Sequence, residues 1–340
     1  MKKIRTVDAV GCVLCHDITQ IIPGEFKGRA FKKGHIIKEE DIPKLLSCGK
    51  DNIYVWEQTE GIVHENDAAE RLRDLSAGDG LTFGETKEGK IDFYAKYNGL
   101  LKINKDLLFK INTLGEIMMA TVHNNTPIKK GEKVAGTRII PLIIEEEKLR
   151  KAEEIATGQS IVEIIPFKSK KIGIVTTGNE VYHGRIKDAF GPVIRKKVEE
   201  YGCEVLGQVI VDDNETRIKE AIEQWIAKGA EVVICTGGMS VDPDDLTPTA
   251  IKSTGAELCT YGSPILPGAM LLVAYKGEIP ILGLPGCVMY SKRTAFDLVL
   301  PRILTDEKLT MEDIGSYGHG GLCLDCEICR FPHCNFGKGV

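Results

Sequence analysis

Carboxylates and glycines crowd together in residues 235–248, which read Cys-Thr-Gly-Gly-Met-Ser-Val-Asp-Pro-Asp-Asp-Leu-Thr-Pro. The two adjacent glycines leave room for a ligand to approach the backbone closely. Carboxylates can hold a divalent cation or accept hydrogen bonds from the amino and ring N–H groups of a heterocycle. The segment therefore predicts a binding loop, with a solvated acidic loop that caps the helix starting near Thr247 as the alternative. Its carboxylates belong to Asp242, Asp244 and Asp245.

A second group of reactive side chains lies in residues 323–334, which contain four of the eleven cysteines. Thiols this dense can reach one metal, and the Cys-x2-Cys-x2-Cys part of the spacing is the one that a [4Fe–4S] cluster uses in bacterial ferredoxins. Zinc is the alternative metal, with His319 or His333 able to replace a thiolate. A redox-active or disordered thiol tail is the alternative without a metal. The predicted metal ligands are Cys323, Cys326, Cys329 and Cys334.

The composition is that of a soluble globular protein, with 43% hydrophobic and 27% charged residues. A chain of 340 residues is long enough for two or three domains. The net charge of -5 and the lack of a long basic run argue against nucleic acid as a partner. No apolar run approaches the ~20 residues that span a bilayer, and no apolar signal core follows the charged N-terminus. The sequence therefore predicts a cytoplasmic protein without a membrane partner.

From residue 171 onward, apolar runs alternate with segments of helical spacing. Such alternation predicts an α/β fold, a doubly wound and mostly parallel sheet with helices on both faces. Smaller mixed, strand-rich α+β domains are predicted to precede it. The predicted strands are 172–176, 205–211, 232–235, 271–275 and 279–284, and the predicted helices are 188–201, 215–228, one beginning at 248, and 293–304.

The composition shifts along the chain predict five parts. Residues 1–60 form a small N-terminal mixed domain, and residues 61–150 a strand-rich α+β domain. A charged linker follows at 151–165, then the α/β domain at 166–305, and finally a tail at 306–340 that contains the cysteine cluster.

Four loops of the α/β domain share a polar, glycine-containing character: residues 176–180, 212–213, 236–245 and 283–287. In open α/β sheets, ligands bind beyond the carboxyl ends of the strands. Hydroxyls and glycine amides suit a phosphate, while carboxylates suit a cation or a heterocycle. The mixture predicts a site for a nucleotide or a pterin with a phosphate, bound beside a metal.

These loops also carry a resemblance to a known family. The ordered motifs are Thr177-Gly-Asn-Glu180, Gly184-Arg-Ile-Lys-Asp188, Gly202-Cys-Glu-Val205, Asp212-Asp213, Thr236-Gly-Gly-Met-Ser-Val241, Pro267-Gly268 and Gly283-Leu-Pro-Gly286. Residues 166–305 resemble the molybdopterin-binding domain that MoeA and MogA proteins share, and residues 1–165 loosely resemble the domains that precede it in MoeA. The resemblance implies binding of molybdopterin or adenylylated molybdopterin. It also implies a MoeA-like molybdotransferase reaction, in which molybdate enters the dithiolene with the help of Mg²⁺.

The resemblance also implies roles for individual residues. It implies a homodimer whose substrate is a small pterin, and whose partner is a molybdoenzyme or another cofactor-synthesis protein. The implied essential carboxylates are Asp212, Asp213 and Asp245. The implied cofactor-binding residues are Thr177, Gly178, Glu180, Asp188, Gly237, Gly238, Ser240, Pro267, Gly268, Pro285 and Gly286.

The sequence departs from the family pattern at four places, one of which is the replacement of an Asn after Asp188, with Phe190 nearby. Ala269-Met270 stand where a lysine is usual, Cys287-Val288 stand where Asn-Pro is usual, and Asp242 replaces a glycine. The lost lysine favours a second hypothesis, a non-catalytic cofactor carrier or regulator with a metal-binding cysteine tail. The segment around Asp242 is similar to CinA-type domains, so a nucleotide-cleaving enzyme is the third hypothesis.

Overall fold

The computed structural model describes residues 2–22, 26–55 and 61–339. The chain divides into two compact units, the first formed by residues 1–94, 103–121 and 133–163 and the second by 95–102, 122–132 and 164–340. The boundary near residue 164 falls inside the predicted linker. The five predicted parts stay a prediction, because a division into compact units does not test them. In the described residues no helix has the length and apolar character needed to cross a bilayer.

The N-terminal part of the first unit is built from short antiparallel pairs. Strand β1 pairs with β4, and β2 pairs with β3. Leu14, Ile18, Phe31 and Leu45 form a small core of their own. The last predicted residues of this domain, 56–60, lie outside the described residues. The elements are β1 (Lys2–Arg5), β2 (Ile18–Ile22), β3 (Phe26–Phe31), α1 (Ile42–Ser47) and β4 (Asn52–Val55).

The next segment is strand-rich, as predicted. It contains a four-stranded sheet in the order β6-β7-β11-β9, a pair of β12 with β5, and a three-stranded sheet in the order β10-β8-β13. The elements are β5 (Ile62–His64), α2 (Glu65–Ser76), β6 (Leu81–Phe83), β7 (Lys90–Ala95), β8 (Gly99–Ile103), α3 (Lys105–Asn112), β9 (Ile117–Thr121), β10 (Thr126–Ile128), β11 (Lys133–Ile139), β12 (Ile143–Glu145), α4 (Glu146–Ala156) and β13 (Val162–Pro166).

The second unit is organised around a six-stranded sheet in the order β15-β14-β16-β19-β18-β17. Strands β15, β14, β16 and β19 are parallel to one another. The elements are β14 (Lys171–Thr177), α5 (Asn179–Tyr182), α6 (Phe190–Glu199), β15 (Glu204–Val211), α7 (Glu215–Ala227), β16 (Val232–Thr236), α8 (Thr247–Ser253), β17 (Glu257–Tyr261), β18 (Leu272–Lys276), β19 (Ile279–Leu284), α9 (Ala295–Ile303) and α10 (Met311–Ser316).

The continuous apolar run of β16 explains why this sheet is covered on both faces. All five of its residues are buried, as expected for a parallel strand between two helical layers. Successive side chains alternate between faces, so Val232 and Ile234 join one core while Val233 and Cys235 join the other. Helices α6 and α9 contribute to the first core, and α7 and α8 to the second. The predicted doubly wound, mostly parallel α/β fold is confirmed.

The sheet differs from the expected one at its far edge. Strand β18 runs antiparallel to β19, and an additional strand, β17, pairs antiparallel with β18. The reason is the connection from β18 to β19, which consists only of Gly277 and Glu278. A parallel pair needs a crossover of a dozen or more residues, whereas two residues suffice for a hairpin.

A buried ionic cluster joins α9 to the segment that follows it. The Arg302 side chain is only 4% exposed and lies 2.6 Å from Glu307 Oε1 and 2.5 Å from Asp313 Oδ1. Lys102 Nζ lies 2.7 Å from the other carboxylate oxygen of Glu307. Burial alone would raise the pKa of Glu307, but the hydrogen bonds from Arg302 and Lys102 outweigh it and hold the pKa below its usual value.

This lowered pKa predicts a pH-dependent contribution to stability. Since the folded state binds the Glu307 proton more weakly than the unfolded state, the stabilisation is complete above the usual glutamate pKa and is lost as the pH falls through the lowered value. We expect Glu307→Gln to reduce the urea midpoint at neutral pH, and the gap to the wild type to shrink at about pH 4. The exposed Glu312→Gln is the matched control, and an equal loss from Glu307→Gln at both pH values would contradict the prediction.

Candidate functional site

The four polar loops meet at one edge of the parallel sheet. In the register of the sheet, Thr177 at the end of β14 pairs with Val211 at the end of β15, and Thr236 at the end of β16 pairs with Leu284 at the end of β19. Residues 176–180, 212–213, 236–245 and 283–287 therefore follow four adjacent parallel strands. Chain topology brings together the residues that the sequence pattern singled out.

A glycine cradle, defined here as Gly237 and Gly238, lies against the end of β14. Both residues have positive φ, +83° and +55°. A Cβ on Gly237 would stand 2.1 Å from the Thr177 carbonyl oxygen, and a Cβ on Gly238 would stand 2.9 Å from Thr247 Oγ1. Thr247 Oγ1 donates to the Gly237 carbonyl at 2.8 Å and lies 3.2 Å from Thr177 Oγ1. Only glycine allows the loop to approach β14 this closely, so Thr177, predicted as a phosphate contact, supports the loop with its side chain.

A partly buried polar chain links β14, β15 and β16 to the start of α6. Gln208 Nε2 donates to Thr176 Oγ1 at 2.8 Å and to Asp188 Oδ2 at 2.7 Å, and Thr236 Oγ1 donates to Thr176 Oγ1 at 3.2 Å. The other oxygen of Asp188 accepts from Phe190 N–H at 2.9 Å, at the start of α6. Asp188, predicted to bind the cofactor, thus has protein donors on both oxygens. Gln208 lies mid-strand, without a local signal of its role.

Asp212 and Asp213 follow β15, and their carboxylates differ in their partners. Asp212 Oδ2 accepts from Arg217 at 2.8 Å, while its Oδ1 is shielded from solvent and has no hydrogen-bond partner among the described residues. Asp213 Oδ2 accepts from Asn179 N–H at 2.8 Å. A shielded carboxylate oxygen without a donor is costly, and a cation bound at Asp212 Oδ1 would satisfy it.

The Asp213 carboxyl is close enough to the acidic loop to sense its charge. Burial, followed by repulsion from Glu180, Asp245 and Asp244, raises the pKa of Asp213, and the Asn179 N–H only partly opposes this. Like charges in proximity disfavour the ionised form. The structure therefore brings three predicted site residues, Asp213, Glu180 and Asp245, into one electrostatically coupled group.

A tyrosine from β17 fixes the loop after the cradle. Tyr261 OH is 3.1 Å from both the Met239 and the Ser240 carbonyl oxygens. Met239 is buried, whereas Ser240 is exposed, so the loop turns outward at this point. Beyond it, the Val241 side chain is 84% exposed. Tyr261 was not anticipated, because it lies on the strand that the sequence pattern did not reveal.

The remaining predicted residues lie on two loops next to β18 and β19. Gly268 has φ +129°, and a Cβ there would stand 2.4 Å from Ala295 Cβ. The Pro267 carbonyl accepts from Ala295 N–H at 3.0 Å. This pair therefore packs against the start of α9. Pro285 precedes a single 3-10 turn, and Gly286 is exposed at its first position.

No three His, Cys, Asp or Glu side chains in the described part of the chain are grouped so that they could hold a metal ion. Mg²⁺, however, is usually held by one or two carboxylates together with waters and substrate phosphates. The shielded oxygen of Asp212 and the glycine cradle, which follow β15 and β16 at the same edge of the sheet, fit such a shared arrangement.

Two family models match the chain. Residues 173–305 match a model described as "Probable molybdopterin binding domain", and residues 3–57 match a domain of unknown function. The first match covers the parallel sheet and the four loops at its edge. The second match lies within the predicted N-terminal domain.

Relatives with known names match parts of the chain. A molybdopterin molybdenumtransferase from Synechococcus elongatus is 24% identical over 175 residues, which are 48% of this chain and 43% of that protein. A CinA-like protein from Syntrophus aciditrophicus is 41% identical over 81 residues, 24% of this chain and 19% of that protein. The crystal structure of the Thermus MoaB molybdopterin biosynthesis enzyme is 21% identical, with a TM-score of 0.34, over 41% of this chain and 98% of that one.

The chain therefore spans less than half the length of these two curated relatives. The family match and the geometry nevertheless coincide, because the loops that meet at the sheet edge lie inside the matched region. Residues 173–305 form a domain of the molybdopterin-binding family.

Proposed function

We propose that the sheet edge binds molybdopterin, free or adenylylated, and that the protein acts as a MoeA-like molybdopterin molybdotransferase. The observation that carries this proposal is the glycine cradle at the carboxyl ends of the parallel strands, inside the region that matches the molybdopterin-binding family. Two glycines with positive φ hold this loop closely against β14, beside an acidic group. A pterin carrying a phosphate needs that combination of backbone donors and carboxylate acceptors.

In this proposal each part of the site has a task. The cradle, with Gly178 and Ser240, holds the phosphate, and Glu180 accepts hydrogen bonds from the pterin. The peptide segments 267–268 and 285–286 close the edge on the side of α9. Asp188 acts indirectly, through Gln208 and the start of α6.

Asp212, through its shielded oxygen, and Asp245 would hold Mg²⁺ together with waters and the substrate phosphate, with the Asp213 carboxyl beside them. Mg²⁺ would supply charge neutralisation at the phosphate and at molybdate, which is the substrate. The residues themselves contribute position. Arg217 fixes Asp212 through one oxygen and leaves the other shielded oxygen for the cation, while the Asn179 N–H orients Asp213.

The proposal is tested by purifying the protein from cells that make molybdopterin and measuring the fluorescent pterin released on oxidation. We expect about one pterin per chain, and its absence would overturn the binding proposal. For turnover, we expect Asp245→Asn to lower molybdate insertion roughly 100-fold, as for the loss of one preorganised electrostatic contact, while pterin is retained. Glu278→Gln, in the turn between β18 and β19 at the opposite edge of the sheet, is the matched control. Wild-type insertion by Asp245→Asn would contradict the catalytic role of Asp245. Retention of pterin without any insertion by the unsubstituted protein would instead indicate a carrier or regulator.

A nucleotide-cleaving activity is the second candidate, favoured by the match to a protein named CinA-like. Turnover of a nucleotide at this site, without pterin retention, would support it over the leading proposal.

The proposal extends to the surroundings of the site. On the sequence argument above, we place the protein in the cytoplasm. On the resemblance, we propose that it is a homodimer that delivers cofactor to a molybdoenzyme or another synthesis protein. The tail cysteines are proposed to hold a metal centre, either Zn²⁺ or an iron–sulfur cluster.

A further inference from the structure

All four cysteines of the tail line a single cavity of about 470 Å³. Cys326 and Cys329 are exposed, and Cys323 and Cys334 are half-buried. The cavity walls come from residues 322–331 and 334–336 and from Lys292 and Arg293, which precede α9. The four thiols that are close together in the sequence therefore also line the same cavity in the fold.

The segment that forms this cavity is hydrogen-bonded at its start to the rest of the second unit. The Gly321 carbonyl accepts from Leu266 N–H at 2.8 Å, and the Cys323 N–H donates to the Leu266 carbonyl at 2.8 Å. At the other end, Gly337 N–H donates to the Gly320 carbonyl at 2.9 Å, and Phe336 is 3% exposed in the core. Both ends of the cysteine segment are therefore held, as a site with fixed ligands requires.

Two cations adjoin the cavity. Lys292 Nζ donates to the carbonyls of Cys326 and Glu327, at 3.1 and 2.9 Å. Arg293 lies over the Phe331 ring, 5.0 Å from its centroid, and its guanidinium adjoins the Cys329 thiol. Positive charge favours thiolates over thiols. The surroundings thus suit an anionic centre held by thiolates.

The arrangement of the thiols distinguishes between the two candidate metals. A structural zinc site brings four ligands within about 2.3 Å of one atom. Here, the cysteines surround a cavity, and among the described residues they do not converge on a point suited to a single ion. His333 lies 3.8 Å from Glu132 and is not among the residues that line the cavity. Thiols placed around a cavity instead match a centre of several metal atoms, in which each metal atom is bound by one thiolate.

We infer that the tail binds a [4Fe–4S] cluster in this cavity, with Cys323, Cys326, Cys329 and Cys334 each bound to one iron. Each thiol gives its proton to solvent as its sulfur binds, and the iron and sulfide come from the cellular supply. The inference deepens the proposed metal centre of the tail and does not depend on molybdopterin binding.

The test is metal and sulfide analysis of the full-length protein, purified without oxygen and, in parallel, reconstituted with iron and sulfide. We expect about four irons and four sulfides per chain, a broad visible absorption, and a paramagnetic signal after reduction. Cys326→Ala should lose most of the iron and the absorption. Cys48→Ala, a half-buried thiol of the first unit, should keep both.

Other outcomes would overturn the inference. One zinc per chain without sulfide, no bound metal after reconstitution, or full cluster content in both Cys326→Ala and Cys329→Ala would each do so. Circular dichroism and the thermal midpoint of each variant establish that the chain is folded, which is expected because these two thiols are exposed. Pterin content is measured on the same samples, so a protein with pterin and no iron contradicts the cluster alone, and one with iron and no pterin contradicts the proposed function alone.

Discussion

Replacing Asp297 by alanine is expected to lower the free energy of unfolding by about 3–5 kcal/mol. The Asp297 side chain is 3% exposed, and its two oxygens lie 2.6 and 2.7 Å from Lys197 Nζ. It also accepts from Thr294 N–H at 2.8 Å, in the capping box of α9, and from Arg293 at 2.9 Å. Alanine would leave a buried ammonium without its counter-ion, which costs far more than a lost surface pair.

The measurement is urea unfolding followed by circular dichroism. Asp306→Ala is the control, because Asp306 pairs with Lys168 and Lys170 from a partly exposed position, where ion pairs contribute about 0–1 kcal/mol. Replacing both partners, as in Lys197→Met with Asp297→Leu, should restore much of the loss, since no charge is then stranded. A loss from Asp297→Ala no larger than that from Asp306→Ala would show that the buried pair is not formed.

Replacing Gly237 by alanine is expected to weaken molybdopterin binding roughly tenfold or more. An L-residue in the left-handed region costs about 1–2 kcal/mol, and the free loop can relieve this strain by leaving the cradle conformation. Binding must then restore that conformation, and each 1.4 kcal/mol of this cost corresponds to a factor of ten in affinity. In addition, the new Cβ would stand 2.1 Å from the Thr177 carbonyl oxygen, so the loop that carries the cradle would have to move away from β14. The loss should appear as less pterin retained per chain after purification.

The matched control for this variant is Gly315→Ala. Gly315 lies in α10, its Cβ would meet no atom within 4 Å, and its φ is not positive. We expect this control to keep its pterin and its thermal midpoint. If Gly237→Ala retains as much pterin as the control, the cradle does not form the binding surface and the phosphate must bind elsewhere on the sheet edge.

The core of the second unit could be predicted from the sequence, because continuous apolar runs such as that of β16 need two covering layers. The meeting of the four polar loops followed from the same reasoning, since parallel strands place their carboxyl ends together. The antiparallel hairpin of β18 and β19 was missed, although the two-residue connection at Gly277 and Glu278 contains the necessary information.

Other features could not be read from local patterns. Gln208, Arg217 and Tyr261 serve the site through partners that are distant along the chain, or through a strand that was not recognised. Lys197 and Asp297 are a hundred residues apart. The start of the tail is held by hydrogen bonds to the backbone groups of Leu266, and backbone hydrogen bonds cannot be recognised from side-chain types. The sequence predicted a group of four cysteines, but not that it lies beside the loop of Pro267 and Gly268.

The burial of Phe336 has a consequence for how the protein is made. Leu309, Ile314, Tyr317 and Phe336 share one core with Ile172 at the first strand of the sheet. Domains fold as units during synthesis, from the N-terminal side onward. The domain of the six-stranded sheet cannot complete its core until residues 309–336 have left the ribosome. The apolar faces of its first strands therefore stay exposed until then. The cysteine segment, which lies between Tyr317 and Phe336, is therefore enclosed by the same step that completes the fold.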